Sequence, residues 1–171
     1  MLKEISHYWQ RVLQGTAHWV SYKKQYYAGN LLTEGAIVAE IAQLIATFLP
    51  DNEKFECEKM YQELDVFIED QTRIDIVIGK WKKVDGKKVL INNHIHSAIE
   101  LKRYENNWDF IQNDFEKLWR LKRKLKNIRL FVVLVGQGKL PKKLFSDSFN
   151  IKRNNIVVSL NTLNSEYCKI K

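Results

Sequence analysis

The sequence has 171 residues, a length typical of one compact domain, and 45% of them are apolar, which is enough for a buried core. Its 28 Lys and Arg residues against 20 Asp and Glu residues give a net charge of +8, which favours an anionic partner such as nucleic acid. No segment resembles a membrane span or a signal peptide, so we expect a cytoplasmic protein without a membrane partner.

The first third of the chain predicts two helices. Apolar residues at helical spacing indicate an amphipathic N-terminal helix, carried by Leu2, Ile5, Trp9 and Val12. Thr33 has the chemistry of an N-cap, and the apolar residues between positions 37 and 48 recur at the spacing of a second helix. Pro50 ends this helix because proline cannot continue it.

The middle of the chain predicts three strands, a helix and a fourth strand. The strands cover 55–60, 73–79 and 97–102, and Asp85-Gly86 is typical of a hairpin turn between the second and the third. A helix follows over 107–126, and the nearly continuous apolar run over 129–135 is typical of a buried strand.

The end of the chain predicts a basic loop over 136–143 and a late strand over 155–160, whose place in the sheet stays open. No repeat or linker divides the sequence. We therefore predict one α/β domain over residues 1–171, with a mixed central sheet flanked by helices and an extra helical segment at the N-terminus.

Three charged residues fall inside strands that otherwise look buried. Asp75 lies in RIDIVIG, where both strand faces are apolar, and Glu100 lies between Ile99 and Leu101. A carboxylate in such a place is costly unless it is paired or bound to metal. If the Asp85-Gly86 hairpin makes the two strands neighbours, both carboxylates and the amine of Lys102 converge at one edge of the sheet. Oxygen ligands of this kind suit Mg²⁺ or Mn²⁺, and the amine can orient an attacking water.

At RIDIVIG and at AIELKRY, which contains Glu100 and Lys102, the sequence resembles the PD-(D/E)XK nuclease superfamily. The order helix, three strands, helix, strand, from about 33 to 135, is similar to the restriction-endonuclease-like core of that family. The resemblance implies that Asp75 and Glu100 hold the metal and that Lys102 assists the nucleophilic water. It also implies an Mg-dependent endodeoxyribonuclease in phage defence, restriction or repair. The family's proline before the first acid is absent, because Ile74 stands there.

Many members of this family carry a further glutamate on the first core helix, and the sequence offers Glu34 and Glu40. At ~100° per residue, Glu34 lies within about 20° of Ile41 and Ile45 on the apolar stripe, whereas Glu40 lies about 120° away. We therefore favour Glu34 as the additional catalytic and metal-binding residue. The second acid-x-Lys triplet, which begins at Asp85, is assigned to the hairpin turn because Asp-Gly is turn chemistry.

Other metal chemistry has weaker support in the sequence. His94 and His96 share the strand face of Glu100 if that strand extends back to them, but we interpret them as ordinary residues of an NNHIH turn. An alternative interpretation makes Asp75 a structural ion-pair partner of a neighbouring base and places Glu100 at an exposed strand end. Both cysteines stand alone and are interpreted as reduced structural thiols.

The predicted partner is DNA, with RNA not excluded. Arg120, Arg123 and Lys124 on the second core helix and Lys139 in the basic loop are the predicted backbone-binding residues, although a solvated helix face explains the first three equally well. We expect a homodimer, because cutting both strands of a duplex calls for two active sites, or else a place in a larger assembly. The rival function is a catalytically silent nucleic-acid-binding or protein-interaction module on the same fold.

Overall fold

The computed structural model describes residues 7–26, 33–64, 72–103, 108–136, 155–161 and 166–170. The described helices are α1 (His7–Tyr26), α2 (Glu34–Phe48) and α3 (Trp108–Lys124), with a short 3-10 helix (Tyr61–Leu64). The strands are β1 (Glu53–Met60), β2 (Arg73–Val84), β3 (Lys87–Arg103), β4 (Arg129–Gly136), β5 (Asn155–Asn161) and β6 (Glu166–Ile170). No described helix is long and apolar enough to span a bilayer.

The six strands form one mixed sheet in the order β1-β2-β3-β4-β5-β6. β1, β2 and β3 pair antiparallel, β3, β4 and β5 pair parallel, and β6 pairs antiparallel with β5. α3 makes the crossover between the parallel strands β3 and β4, as such a connection requires. The predicted mixed sheet and the predicted order from α2 to β4 are confirmed. β5 takes the place beside β4 that the sequence left open, and β6 was not predicted.

Helices cover both faces of the sheet. One apolar cluster joins α1 and α2 to one face, and a second cluster joins α3 and the 3-10 helix to the other. The sequence of β4 is continuously apolar because both faces of this strand are buried. Phe131 and Val133 belong to the first cluster, while Leu130, Val132 and Leu134 belong to the second. The site described below therefore lies beside segments of β2, β3 and β4 that are buried on both sides.

Local signals in the sequence set the ends of two elements. Thr33 caps α2, since its Oγ1 accepts a hydrogen bond of 3.1 Å from the Ala36 amide. Asp85 and Gly86 form the β2–β3 turn with φ values of 49° and 80°, the left-handed pair that a two-residue hairpin favours. The predicted NNHIH turn was wrong, because residues 92–96 lie inside β3. Leu2 and Ile5 of the predicted N-terminal helix lie outside the described residues.

An irregular stretch of the β2–β3 pairing requires a glycine at position 79. The register shifts on both sides of Gly79, and a Cβ placed there would lie 2.7 Å from the His94 carbonyl oxygen and 2.8 Å from Ile95 Cα. These are backbone atoms, which cannot rotate away as a side chain can.

Gly79→Ala is therefore expected to lower the free energy of unfolding by about 3 kcal/mol, measured by urea denaturation. Gly35→Ala is the matched control, because its Cβ would meet only Thr33 Oγ1, at 4.0 Å. Its unfolding free energy should stay equal or rise by a few tenths of a kcal/mol. Equal stability of the two variants would contradict the close approach at Gly79.

Candidate active site

The site lies where β2 and β3 part. Their pairing ends at Ile76 and Ile99, one residue before Asp75 on β2. Instead of continuing the ladder, the Asp75 side chain accepts a 2.7 Å hydrogen bond at Oδ2 from the Leu101 amide. Asp75 is thereby held against the β3 segment that carries Glu100 and Lys102, as the hairpin interpretation predicts.

Glu100 is a buried carboxylate on the α3 side of the sheet. It is only 3% exposed, and its Oε1 accepts a 3.1 Å hydrogen bond from the hydroxyl of Tyr61, which is itself fully buried in the 3-10 helix. Burial, together with the charges of Asp75 and Asp114, raises the pKa of Glu100 well above its usual range. The alternative that Glu100 stands at an exposed strand end is therefore wrong.

Lys102 connects three elements of the fold. Its Nζ lies 3.2 Å from Asp114 Oδ2 on α3 and 3.6 Å from Glu34 Oε2, at the first position of α2. Glu34 also accepts a 3.1 Å hydrogen bond at Oε1 from the Arg103 amide. Burial opposes the charged form of Lys102, but Asp114, Glu34 and Glu100 outweigh that effect and raise its pKa, so Lys102 carries an ammonium.

The charges around Lys102 do not balance. Among the described residues, Lys102 is surrounded by four carboxylates, and Lys117 adds a second ammonium at Asp114; the four acids are Glu34, Asp75, Glu100 and Asp114. Burial is the main reason that the pKa of Asp75 rises to about 6. The hydrogen bond from the Leu101 amide and the charge of Lys102 lower this pKa, but burial outweighs them. Such an excess of partly buried acid is the environment that a divalent cation neutralises.

The donor set fits Mg²⁺ or Mn²⁺ better than a zinc-type ion. Within the described ranges, no three His, Cys, Asp or Glu side chains converge closely enough to form a metal site by themselves. Mg²⁺ does not need such a set, because it keeps several waters and takes one or two protein carboxylates together with substrate phosphate. Asp75 and Glu100 supply two carboxylates with the hard oxygen atoms that this ion prefers.

The structure separates the two helix glutamates that the sequence offered. Glu34 contacts Lys102 and β3, as described above, and lies at the site. Glu40 lies elsewhere on α2, where burial raises its pKa and the charge of Lys23 opposes that rise. Of the two, Glu34 is the one that can take part in the chemistry of Asp75 and Glu100.

The remaining candidate residues are a histidine, the cationic side chains and the cysteines. His96 approaches Ser97 Oγ at 3.0 Å and Glu53 Oε1 at 3.2 Å, the latter without hydrogen-bond geometry. The predicted backbone-binding side chains on α3 are exposed: Arg120, Arg123 and Lys124. Lys139 lies outside the described residues. Cys57 is a free thiol and is exposed, so its prediction as a structural thiol was wrong, and Cys168 belongs to β6.

Two residues of the site were not foreseen from the sequence. Asp114 lies four residues before Leu118 and seven before Leu121, hence inside the apolar stripe of α3, and this position was the signal that could have found it. Tyr61 gave no comparable signal, because its hydroxyl reaches Glu100 across 39 positions of sequence.

Asp114→Asn should lower the rate of any reaction that uses Lys102, because the amide keeps the shape but removes the charge that holds the ammonium. We expect a ten- to hundred-fold lower kcat, with KM changed less. Glu116→Gln, an exposed position on the same helix, is the control and should leave kcat unchanged. A kcat for Asp114→Asn within two-fold of the wild type would show that Asp114 does not position Lys102.

No protein-family model matches the chain, and no curated protein matches it significantly. Among solved structures it is similar to Pseudomonas aeruginosa ATCC27853 NucC in its cAAA-bound form, with a TM-score of 0.57 and 10% identity over 98% of this chain and 85% of that one. The cAAA-bound form of Escherichia coli MS115-1 NucC gives a TM-score of 0.49 at 10% identity, over 98% of this chain and 84% of that one. The apo form of the same protein gives a TM-score of 0.41 at 10% identity, over 91% of this chain and 81% of that one. NucC is a phage-defence endonuclease of the PD-(D/E)XK-like fold class. The similarity to the P. aeruginosa structure concerns the fold alone. It shows that this chain has a restriction-endonuclease-like fold.

Proposed function

We propose that this protein is a divalent-metal-dependent nuclease that hydrolyses phosphodiester bonds in DNA, with a role in phage defence. One observation carries the proposal: the half-buried Asp75 and the buried Glu100 supply two carboxylates beside the ammonium of Lys102, at the point where two paired strands part. Phosphoryl chemistry needs such a combination of oxygen ligands and positive charge. The fold shared with NucC supports the same reaction class.

Asp75 and Glu100 would hold Mg²⁺ or Mn²⁺, with Glu34 as a further carboxylate at the site. When bound, the ion supplies Lewis-acid chemistry at the phosphate and lowers the pKa of a coordinated water. Tyr61 holds the Glu100 carboxylate in place through Oε1. The Leu101 amide does the same for Asp75 through Oδ2.

Lys102 acts on the reacting groups directly in this proposal. Its ammonium orients the attacking water and offsets the negative charge that develops on the phosphate. Glu34 and Asp114 hold that ammonium from opposite faces of the sheet, at 3.6 and 3.2 Å. Both residues act through Lys102 as positioning residues, and Glu34 would in addition serve the metal.

DNA is the proposed substrate because the chain carries a net charge of +8 and exposes cationic side chains on α3, the helix that also supplies Asp114. The exposed residues Arg120, Arg123 and Lys124 would contact the phosphate backbone. Cutting both strands of a duplex with one site per chain favours a homo-oligomer, which we propose as the active form.

The proposal is tested by incubating the purified protein with plasmid, single-stranded DNA and single-stranded RNA, with Mg²⁺, Mn²⁺ or EDTA. Each reaction is run with and without cAAA, because the similar P. aeruginosa NucC structure is a cAAA-bound form. We expect DNA cleavage that EDTA abolishes. Binding of DNA that survives EDTA, without cleavage under any of these conditions, would identify a silent binding module instead, and cleavage of RNA alone would change the substrate.

A further inference from the structure

The far end of the β2–β3 hairpin, residues 80–90, is strongly basic and stands apart from the catalytic cluster. It contains five lysines and one acid, Asp85, so its net charge is 5 − 1 = +4. Residues 82–89 are all exposed. Among the described residues, Lys80, Lys82, Lys83 and Lys87 form no ion pair with a carboxylate. We call residues 80–90 the basic hairpin.

The pairing within the basic hairpin places positive charges against each other. Lys83 and Lys88 are directly opposite partners across the two strands, an arrangement that weakens a hairpin when no anion is bound. Lys88 lies over the Trp81 ring, 4.2 Å from its centroid, and the Trp81 indole N–H donates to the Asp51 carbonyl at 3.0 Å. The base of the hairpin is therefore anchored to the fold, while its tip carries uncompensated charge.

Both faces of the basic hairpin are cationic. Cross-strand partners share a face, and successive residues alternate between faces. Leu90 is buried on the α3 side, so Lys88 and its partner Lys83 lie on that side. Lys82 and Lys87 consequently lie on the opposite side. A hairpin that is solvated on one face and packed on the other would not need lysines on both.

We propose that the basic hairpin binds the phosphate backbone of the same duplex that is cut at Asp75, about one helical turn away from the cut. The inference rests on the proposed nuclease function and adds the surface that holds its substrate. From Asp75 to Val84 the strand advances by about 30 Å, close to the ~34 Å of one turn of B-DNA. A two-stranded ribbon fits the major groove, where phosphates line both sides, in agreement with lysines on both faces.

The first test is binding of a 24-base-pair duplex in EDTA, measured by fluorescence anisotropy over a series of salt concentrations. The triple variant Lys82→Gln, Lys83→Gln, Lys87→Gln should raise Kd at least about ten-fold at 0.1 M salt and flatten the slope of log Kd against log salt by about two to three. The matched triple Lys→Arg variant keeps the charge and should bind as the wild type does. Melting temperatures of both variants that are no lower than that of the wild type show that the fold is intact.

Equal Kd values and salt slopes for the wild type and the Gln variant would overturn the inference. It would also be overturned if the Gln variant kept its DNA affinity but lost binding to phosphatidylserine vesicles, because the basic hairpin would then serve a membrane surface. If the wild type binds through these lysines yet cuts nothing, the nuclease proposal fails while the binding surface stands.

The second test uses cleavage. When the wild type cuts a labelled 40-base-pair duplex, it should disfavour positions with less than about nine base pairs on one side, because the ~30 Å from Asp75 to the tip of the basic hairpin correspond to about nine base pairs. The Gln variant should lose this dependence on flanking length. A Gln variant that keeps the wild-type cleavage pattern would contradict the proposed distance between hairpin and cut.

Discussion

Lys102→Ala is expected to lower the rate of metal-dependent DNA cleavage by about a thousand-fold or more, measured as single-turnover cleavage at saturating protein. The ammonium is the one cationic group that Glu34 and Asp114 jointly hold beside Glu100, and alanine removes it. DNA binding in EDTA should change little, since the charge lost is one of 28. The fold should persist because Lys102 is partly exposed.

Lys117→Ala is the matched control for this experiment. Lys117 lies 3.2 Å from Asp114 Oδ1, on the same carboxylate that Lys102 contacts through Oδ2. Its loss should alter cleavage by no more than a few-fold, because Lys117 does not approach Glu34 or Glu100. Equal losses for Lys102→Ala and Lys117→Ala would mean that Lys102 acts through charge alone and has no specific part in the reaction.

Glu100→Gln is expected to make the metal-free protein more stable at pH 8, by about 2 kcal/mol in the free energy of unfolding. The wild-type carboxylate is buried beside Asp75 and Asp114, and an amide of the same shape removes that repulsion. Tyr61 can still donate to the amide oxygen. Mg²⁺ should stabilise the wild type but not the variant, because the variant lacks a ligand. The measurement is thermal unfolding with and without Mg²⁺.

Glu56→Gln should have the opposite effect on stability. Burial alone would raise the pKa of Glu56, but bonds to Lys59 and Lys54 outweigh it and lower the pKa, so the charged form is favoured in the folded protein. Its replacement should therefore destabilise the protein at pH 8, by about 1 kcal/mol or less because the group is partly exposed. If both variants moved stability in the same direction, charge repulsion at Glu100 would not be the cause.

The pH dependence of stability should reveal the same excess of acid. The pKa of Asp75 is raised in the folded protein from 3.8 to about 6, so the folded state binds more protons than the unfolded state between these values. The stability that Asp75 contributes is complete below about pH 4 and is lost as the pH rises through 6, up to about 3 kcal/mol. Asp75→Asn should flatten this part of the profile, measured by urea unfolding without metal. An unchanged profile would contradict the burial of Asp75.

The elements that local chemistry sets could be predicted from the sequence. Thr33, Pro50 and Asp85-Gly86 act through their own backbone preferences, so they mark the same boundaries in the sequence and in the fold. The pairing of β2 with β3 follows from that turn. Asp75 and Glu100 were visible because a charged residue in an apolar strand contradicts its surroundings.

The features that long-range packing sets could not be predicted in the same way. The partnership of Asp114 with Lys102 depends on how α3 lies across the sheet, and that of Tyr61 with Glu100 on how the 3-10 helix folds under it. The polar residues 92–96 look like a turn, but pairing with β2 around Gly79 keeps them in β3. The position of β5 follows from parallel pairing with β4, for which neither strand carries a local signal.

A divalent-metal site at Asp75 and Glu100 can be detected by titrating the metal-free protein with Mn²⁺ and measuring free Mn²⁺ by electron paramagnetic resonance. This measurement requires neither substrate nor activator. We expect one or two ions bound per chain for the wild type and weaker or no binding for Asp75→Asn and Glu100→Gln, with Glu40→Gln behaving as the wild type. No binding by the wild type, or equal binding by all four proteins, would rule out a metal site at Asp75 and Glu100.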